Sequence, residues 1–292
     1  MCDEDTVAEN NKYLQQQEGL TRRAFNQLTA GAAVSLMLPV VANAADVVET
    51  DVKVSTPDGE SDCYFVHPAA GQHAGVILWP DILGLRPAFR AMGKRLAQSG
   101  YSVLVVNPYY RNASAPVVAE GASFQDESTR NTLLPLARSL SAETTVTDAQ
   151  AYVSFLDSQA AVDKKRKIGT TGYCMTGPFT MRTAAAIPDR IGAGASFHGG
   201  GLVTDGPDSP HLLVAQMKAH FLFAIAANDD ERDPKAKDVL RKTYDKAHLP
   251  AEIEVYEGAM HGWCPPDSRV YNEAQAERAW GRMLALFERE LA

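Results

Sequence analysis

The chain has 292 residues, with 36 Asp and Glu against 28 Lys and Arg and a formal charge of −8. No run of Lys and Arg offers a counter-surface to a phosphate backbone, so nucleic acid is excluded as a partner.

Near the N-terminus, Thr21-Arg22-Arg23-Ala24-Phe25 precedes a moderately apolar run from Leu28 to Val41 and then Ala42-Asn43-Ala44. That order reads as a twin-arginine (Tat) export signal closing on an A-x-A cleavage site. The apolar run is shorter and richer in Ala and Gly than a membrane span, which takes about 20 strongly apolar residues. Residues 1–44 are therefore expected to be a leader handled by the Tat machinery, with a cleaved signal and a retained anchor both left open. The expected destination is the periplasm, with no stable membrane insertion once the signal is cleaved. Residues 45–292 remain, about 250 residues, which suffice for one α/β domain with a substantial core. Cys2 falls in the leader, so Cys63, Cys174 and Cys264 are left. An odd number in an exported chain points to a reactive thiol rather than a disulfide framework.

Beyond the leader, β-rich and helix-forming stretches alternate, the pattern of a mainly parallel sheet with helices on both faces. Thr50 to Thr56 and Ser61 to His67 read as a hairpin around Pro57-Asp58-Gly59. A strand from Ala74 to Trp79 ends at Pro80-Asp81-Ile82-Leu83-Gly84, and Pro87 opens a helix through Ala97. Tyr101 to Val106 is a buried strand. The stretch from Asn112 to Ser141 reads as a partly helical cap, Ala142 to Leu156 as a helix, and Arg166 to Thr171 as a strand. Ile191 to Phe197, Phe221 to Ala227 and Glu252 to Tyr256 read as further strands, with helices at Lys235 to His248 and Asn272 to Leu291.

The segment Ile168-Gly-Thr-Thr-Gly-Tyr-Cys-Met-Thr-Gly177 breaks from strand to helix at a cysteine. This is the layout of a nucleophile elbow, in which small neighbours let strand and helix pack closely while the nucleophile projects upward. A thiol there acts as a nucleophile, and a helix N-terminus favours its anion. His261, in "GAMHGW", supplies a base, and the pair in "FLFAIAANDD" supplies an acid to orient it. Of the two, Asp230 is preferred over Asp229 because Pro234 completes a D-x-x-x-P arrangement. The chain order Cys174, Asp230, His261 is that of α/β-hydrolases. The oxyanion hole would take backbone N–H groups from Met175 and Ile82. "HGGG" at 198–201 follows the elbow instead of preceding it, so it is no oxyanion motif, and His198 is left as a pocket-lining residue. Strand ends in an open sheet converge on one crevice, which would gather Asp81, Arg111, Cys174, His198, Asp230 and His261. The remaining histidines show no metal-ligand spacing, so neither metal nor cofactor is expected.

With "WPDILGL", "NPYYR", "GYCMTG", "ANDDERDP" and "GAMHGW" in this order, the chain resembles the dienelactone hydrolase family of α/β-hydrolases. The resemblance implies a Cys-Asp-His triad on Cys174, Asp230 and His261 that opens small carboxylic esters and lactones. It also implies an auxiliary acid at Asp81 and a substrate-carboxylate arginine at Arg111. Three positions depart from the family pattern: Thr176 where glycine is expected, His198 where an aromatic residue is expected, and Asp81 in place of Glu. Asp81 has a second reading, as a turn residue capping the helix at Pro87 or pairing with Arg86. Two rival functions stay open, a thioesterase or peptidase on the same fold, and a non-catalytic binding or redox protein. Leaving group, pathway and the choice between monomer and small homo-oligomer are not written in the residues.

Overall fold

The computed structural model describes residues 4–18, 38, 39, 41 and 44–292. Arg22, Arg23 and most of the apolar run behind them lie outside the described residues. Among the described residues, no helix is long and apolar enough to cross a membrane.

The described residues build an eight-stranded sheet in the order β1-β2-β4-β3-β5-β6-β7-β8. Strands β1 (Val47–Thr56) and β2 (Gly59–Pro68) form the expected hairpin, paired from Val47↔Pro68 to Thr56↔Gly59. β2 runs antiparallel to β4 (Ser102–Val105), and from β4 onward every pairing is parallel. The parallel part comprises β3 (Gly75–Trp79), β5 (Ile168–Tyr173), β6 (Ile191–Phe197), β7 (His220–Ala226) and β8 (Ala251–Tyr256). Strands β3 and β5 are buried along their whole length, as continuous apolar or small-residue runs covered on both faces must be.

Each face has its own core. On one side lie helices α2 (Pro87–Gln98) and α8 (Glu273–Glu290), which bury Phe89, Met92, Leu96, Met283 and Phe287 against the sheet. Pro87 suits the first turn of α2, where an N–H would have no partner in the helix. On the other side lie α4 (Ala142–Ser158), α5 (Gly177–Ala186) and α7 (Ala236–Ala247), burying Tyr152, Leu156, Met181 and Leu240. Ser141 and Thr144 form a reciprocal capping box that fixes the start of α4. Full burial of each such side chain is worth about 1.5–3 kcal/mol, so the two cores and not helix propensity hold the layers together.

Three segments add to what the sequence pattern predicts. The cap region contains one helix, α3 (Glu127–Arg138), with a small cluster of Ile82, Tyr109 and Leu133 beneath it. The acidic stretch after β7 is a short helix, α6 (Ala227–Arg232), rather than a turn. Helix α1 (Glu4–Glu18), within the segment read as leader, is seated on the crevice at the carboxyl ends of the strands.

Candidate active site

β5 ends at Tyr173 in extended conformation, and the next residue, Cys174, has φ +58°. A non-glycine residue in the left-handed region is strained, and such strain is kept where surrounding contacts over-determine it. Here the glycines on either side allow the close approach. A Cβ on Gly172 would lie 2.3 Å from the carbonyl oxygen of Thr176, and one on Gly177 would lie 2.5 Å from the Cα of Gly199. Thr176, where the family pattern has glycine, replaces freedom with a tether. Its hydroxyl accepts from the backbone N–H of Tyr173 at 2.9 Å and sits 3.0 Å from the carbonyl of Trp79 at the end of β3.

The elbow delivers the Cys174 Sγ to within 3.2 Å of the His261 Nε2. Both residues are 2 % exposed. His261 sits on the loop after β8, and its backbone N–H donates to Asn228 Oδ1 at 2.8 Å. Its Nδ1 faces Asp229, 2.7 and 3.0 Å from the two carboxylate oxygens. The expectation for Asp230 is therefore corrected: Asp230 forms an ion pair with Lys237 Nζ and does not face His261. The reason is α6. Because the chain turns helical at Ala227, neighbouring side chains point about 100° apart, and only Asp229 is turned toward the imidazole.

Burial opposes the charged form of His261 more than any other single influence, yet it does not prevail. The charges of Asp229 and Cys174, with hydrogen bonds to both, together raise the imidazole pKa from 6.5 to about 10. Next to it, His198 is fully buried, with its ring edge-on to His261 at 5.1 Å between centroids. Burial, reinforced by the His261 charge, lowers its pKa well below 6.5, so this second imidazole is neutral at neutral pH. Two adjoining histidines thus differ in charge because only one has a carboxylate behind it. Cys63 and Cys264 are also free and buried, and burial raises both thiols, Cys63 to about 12, which keeps them protonated and unreactive.

Cys174, His261, His198, Asp81 and Ile82 line one cavity of about 110 Å³. Asp81 is held by Arg86 through contacts of 2.6 and 3.0 Å, and Arg86 also clasps Asp267 at 2.6 and 2.9 Å. Asp81 also accepts the N–H of Leu83 at 2.9 Å. The Arg86-pairing reading of Asp81 is thus the one the geometry matches. Burial raises its pKa, with the Arg86 charge and hydrogen bonds opposing and the Cys174 charge adding to the rise. Met175 follows Cys174, and the Tyr109 hydroxyl reaches the Ile82 carbonyl at 2.7 Å and the Met175 sulfur at 3.4 Å, joining the two loops beside the thiol.

Arg111 is the second correction, because it does not reach this cavity. It bridges Asp58 of the hairpin turn and Asp148 of α4 at 2.6–2.9 Å, stacked on Tyr110. Two carboxylates and an aromatic face already use the guanidinium, so nothing is left to aim at a substrate. The guanidinium groups that line the cavity are those of Arg86 and Arg269, and Phe124 provides an aromatic wall. Trp79, Tyr109 and Trp263 are fully buried core residues. No spacing in the sequence marks Arg269 or Phe124, since both stand on irregular loops.

Helix α1 covers part of the mouth through Thr6, Val7 and Asn10. Asn10 Nδ2 donates to the His261 carbonyl at 3.1 Å, and Glu9 accepts from Asn228 Nδ2 and Arg232, each at 2.7 Å. Among the described residues, no group of three or more His, Cys, Asp or Glu side chains is placed to hold a metal ion.

Comparison with known proteins agrees with this architecture. A carboxymethylenebutenolidase of Rhodococcus opacus is 25% identical over 232 residues, covering 78% of this chain and 86% of its own. A Klebsiella pneumoniae structure with a provisional dienelactone hydrolase assignment superposes with a TM-score of 0.71 at 21% identity, covering 84% of this chain and 99% of its own. A dienelactone hydrolase-like promiscuous phosphotriesterase from metagenomic libraries gives 0.67 at 20% identity, with the same two coverages. The sequence model of the dienelactone hydrolase family matches residues 61–291, so the chain belongs to that family and is a carboxylic ester or lactone hydrolase.

Proposed function

We propose that the hydrolase works through an acyl-cysteine intermediate, with Cys174 as nucleophile, His261 as acid and base, and Asp229 as the group that orients and stabilises the imidazolium. The observation that carries this reading is the line from Asp229 to His261 to Cys174, at 2.7 and 3.2 Å, with Cys174 and His261 each only 2 % exposed. The Sγ thiolate adds to the substrate carbonyl carbon, and the oxyanion is received by the N–H groups of Ile82 and Met175. The C–O bond then breaks, and His261 Nε2–H gives its proton to the departing alkoxide. A water next transfers a proton to His261 while its oxygen attacks the acyl carbon. The C–S bond breaks, releasing the carboxylic acid and restoring the thiolate. In a lactone the alcohol stays tethered to the product.

Replacing Cys174 with Ala removes the covalent centre but little core volume, so it should abolish p-nitrophenyl acetate hydrolysis while leaving the melting temperature within a few degrees. Mass spectrometry of wild type quenched during turnover should find the acyl group on Cys174. Turnover that survives demonstrated alkylation of Cys174 would refute the assignment.

The reading includes export to the periplasm by the twin-arginine route, motivated by Arg22 and Arg23 ahead of an A-x-A site. Replacing both arginines with Lys should hold the precursor in the cytoplasm. An unprocessed chain in the cytoplasm of the native host would overturn the localisation.

A further inference from the structure

A second cavity, of about 580 Å³, adjoins the catalytic one and shares Ile82 and Phe124 with it. The Met175 side chain lines its inner end, immediately after the nucleophile. Leu134 and Ala137 of α3 and Phe179 of α5 supply apolar wall. The lining also holds Arg130, Arg138 and Arg182, with Asp208 as its single carboxylate. Arg182 donates to the Asp208 carbonyl at 3.1 Å and pairs with its carboxylate at 3.8 Å. Arg130 is occupied by the carbonyls of Phe124 and Gln125. Arg138 forms no ion pair among the described residues.

The mechanism fixes which half of an ester goes where. The leaving oxygen must lie near His261 Nε2 to be protonated, so the alcohol occupies the catalytic cavity. At about 110 Å³ that cavity is the smaller of the two. The acyl substituent points from the carbonyl carbon away from His261, past Ile82 and Met175, into space of the size ordinary ligand pockets have. Resting on the acyl-cysteine reading, we infer that this second cavity is an acyl-binding pocket for a medium-length apolar chain with a carboxylate at its far end, received by Arg138 with Arg182 beside it.

The test uses the full chain and p-nitrophenyl esters of acetic and octanoic acids and the mono-ester of octanedioic acid. Burial of a methylene is worth roughly fourfold in kcat/KM, so octanoate should exceed acetate by at least about tenfold. A charge-assisted hydrogen bond at the far end should add about tenfold or more for the octanedioate ester. Ala137→Trp, which fills the pocket, should lower the octanoate-to-acetate ratio at least about tenfold. Arg138→Gln should bring the octanedioate-to-octanoate ratio towards one. Calorimetry of free octanedioate binding to wild type and to Arg138→Gln needs neither turnover nor the Trp variant, and should show binding weakened about tenfold or more in the variant. A wild-type octanoate-to-acetate ratio of one or less, or no octanedioate binding, overturns the pocket. Acetate turnover that does not depend on Cys174 overturns the acyl-cysteine reading instead, so the two failures are distinguishable.

Discussion

The two adjacent aspartates show how far a single position decides the site. Asp229 is 2.7 Å from His261 Nδ1, whereas Asp230 pairs with Lys237 at a partly exposed position. That Cys174 and His261 meet in one site was legible in the sequence, because glycines and chain order mark them. The choice of acid was not, because it depends on a helical turn at 227–232 that the D-x-x-x-P spacing does not reveal. Asp229→Asn should therefore lower kcat/KM by 10²–10⁴-fold, on the order seen when a triad carboxylate is amidated, through loss of the imidazolium's partner. Asp230→Asn should change it by less than about fivefold, since a partly exposed ion pair is worth about 0–1 kcal/mol. Equal losses in steady-state kinetics would return Asp230 to the triad. The raised pKa of His261 carries a second consequence. A histidine whose folded value, about 10, exceeds its ordinary 6.5 gives its full stabilisation below pH 6.5 and loses it as pH rises through 10. The melting-temperature gap between wild type and His261→Gln should thus shrink from pH 6 to pH 10. A gap that is constant or widens over that range would contradict the charged pair.

At the level of elements, period and punctuation foretold most strands and helices within one to three residues, because a parallel sheet covered on both faces writes itself as continuous apolar runs. What they left out is what packs across elements. Arg111 stands three residues after the strand-end motif "NP" and so reads as part of the crevice, yet it ties the β1–β2 turn to α4 through Asp58 and Asp148. Sequence gives no sign of that, since both partners lie more than thirty positions away. The Asp148 side chain is only 3 % exposed, and burial raises its pKa against the hydrogen bonds of Arg111 and Tyr110. Arg111→Met should therefore strand a buried carboxylate and cost about 3–5 kcal/mol in urea unfolding. Its kcat/KM should fall by the same factor for carboxylate-bearing lactones and for p-nitrophenyl acetate. A loss confined to the anionic substrates would put Arg111 back in the site.

Across the whole molecule, the reading of residues 1–44 as leader alone overlooked that part of the segment is seated on the cavity that holds Cys174 and His261. The helix Glu4–Glu18 reaches His261 through Asn10, and reaches Asn228, which positions His261, through Glu9. Among the described residues, hydrogen bonds of Asn10 and Glu9 and the partly exposed Glu9–Arg232 ion pair hold the helix there, polar contacts of a kind that a substrate can displace. A displaceable contact still matters when it belongs to the same chain, because it competes without being diluted. If substrate enters by that part of the mouth, the helix is an intramolecular competitor, and substrate affinity is scaled by the fraction of molecules in which the mouth is vacated. Glu9→Ala with Asn10→Ala should speed iodoacetamide labelling of Cys174 and lower KM for p-nitrophenyl acetate while leaving kcat within about twofold. An unchanged labelling rate would show that the helix does not gate the thiol. If processing severs the chain ahead of Ala45, the same competitor leaves with the leader, and delivery and activation become one event.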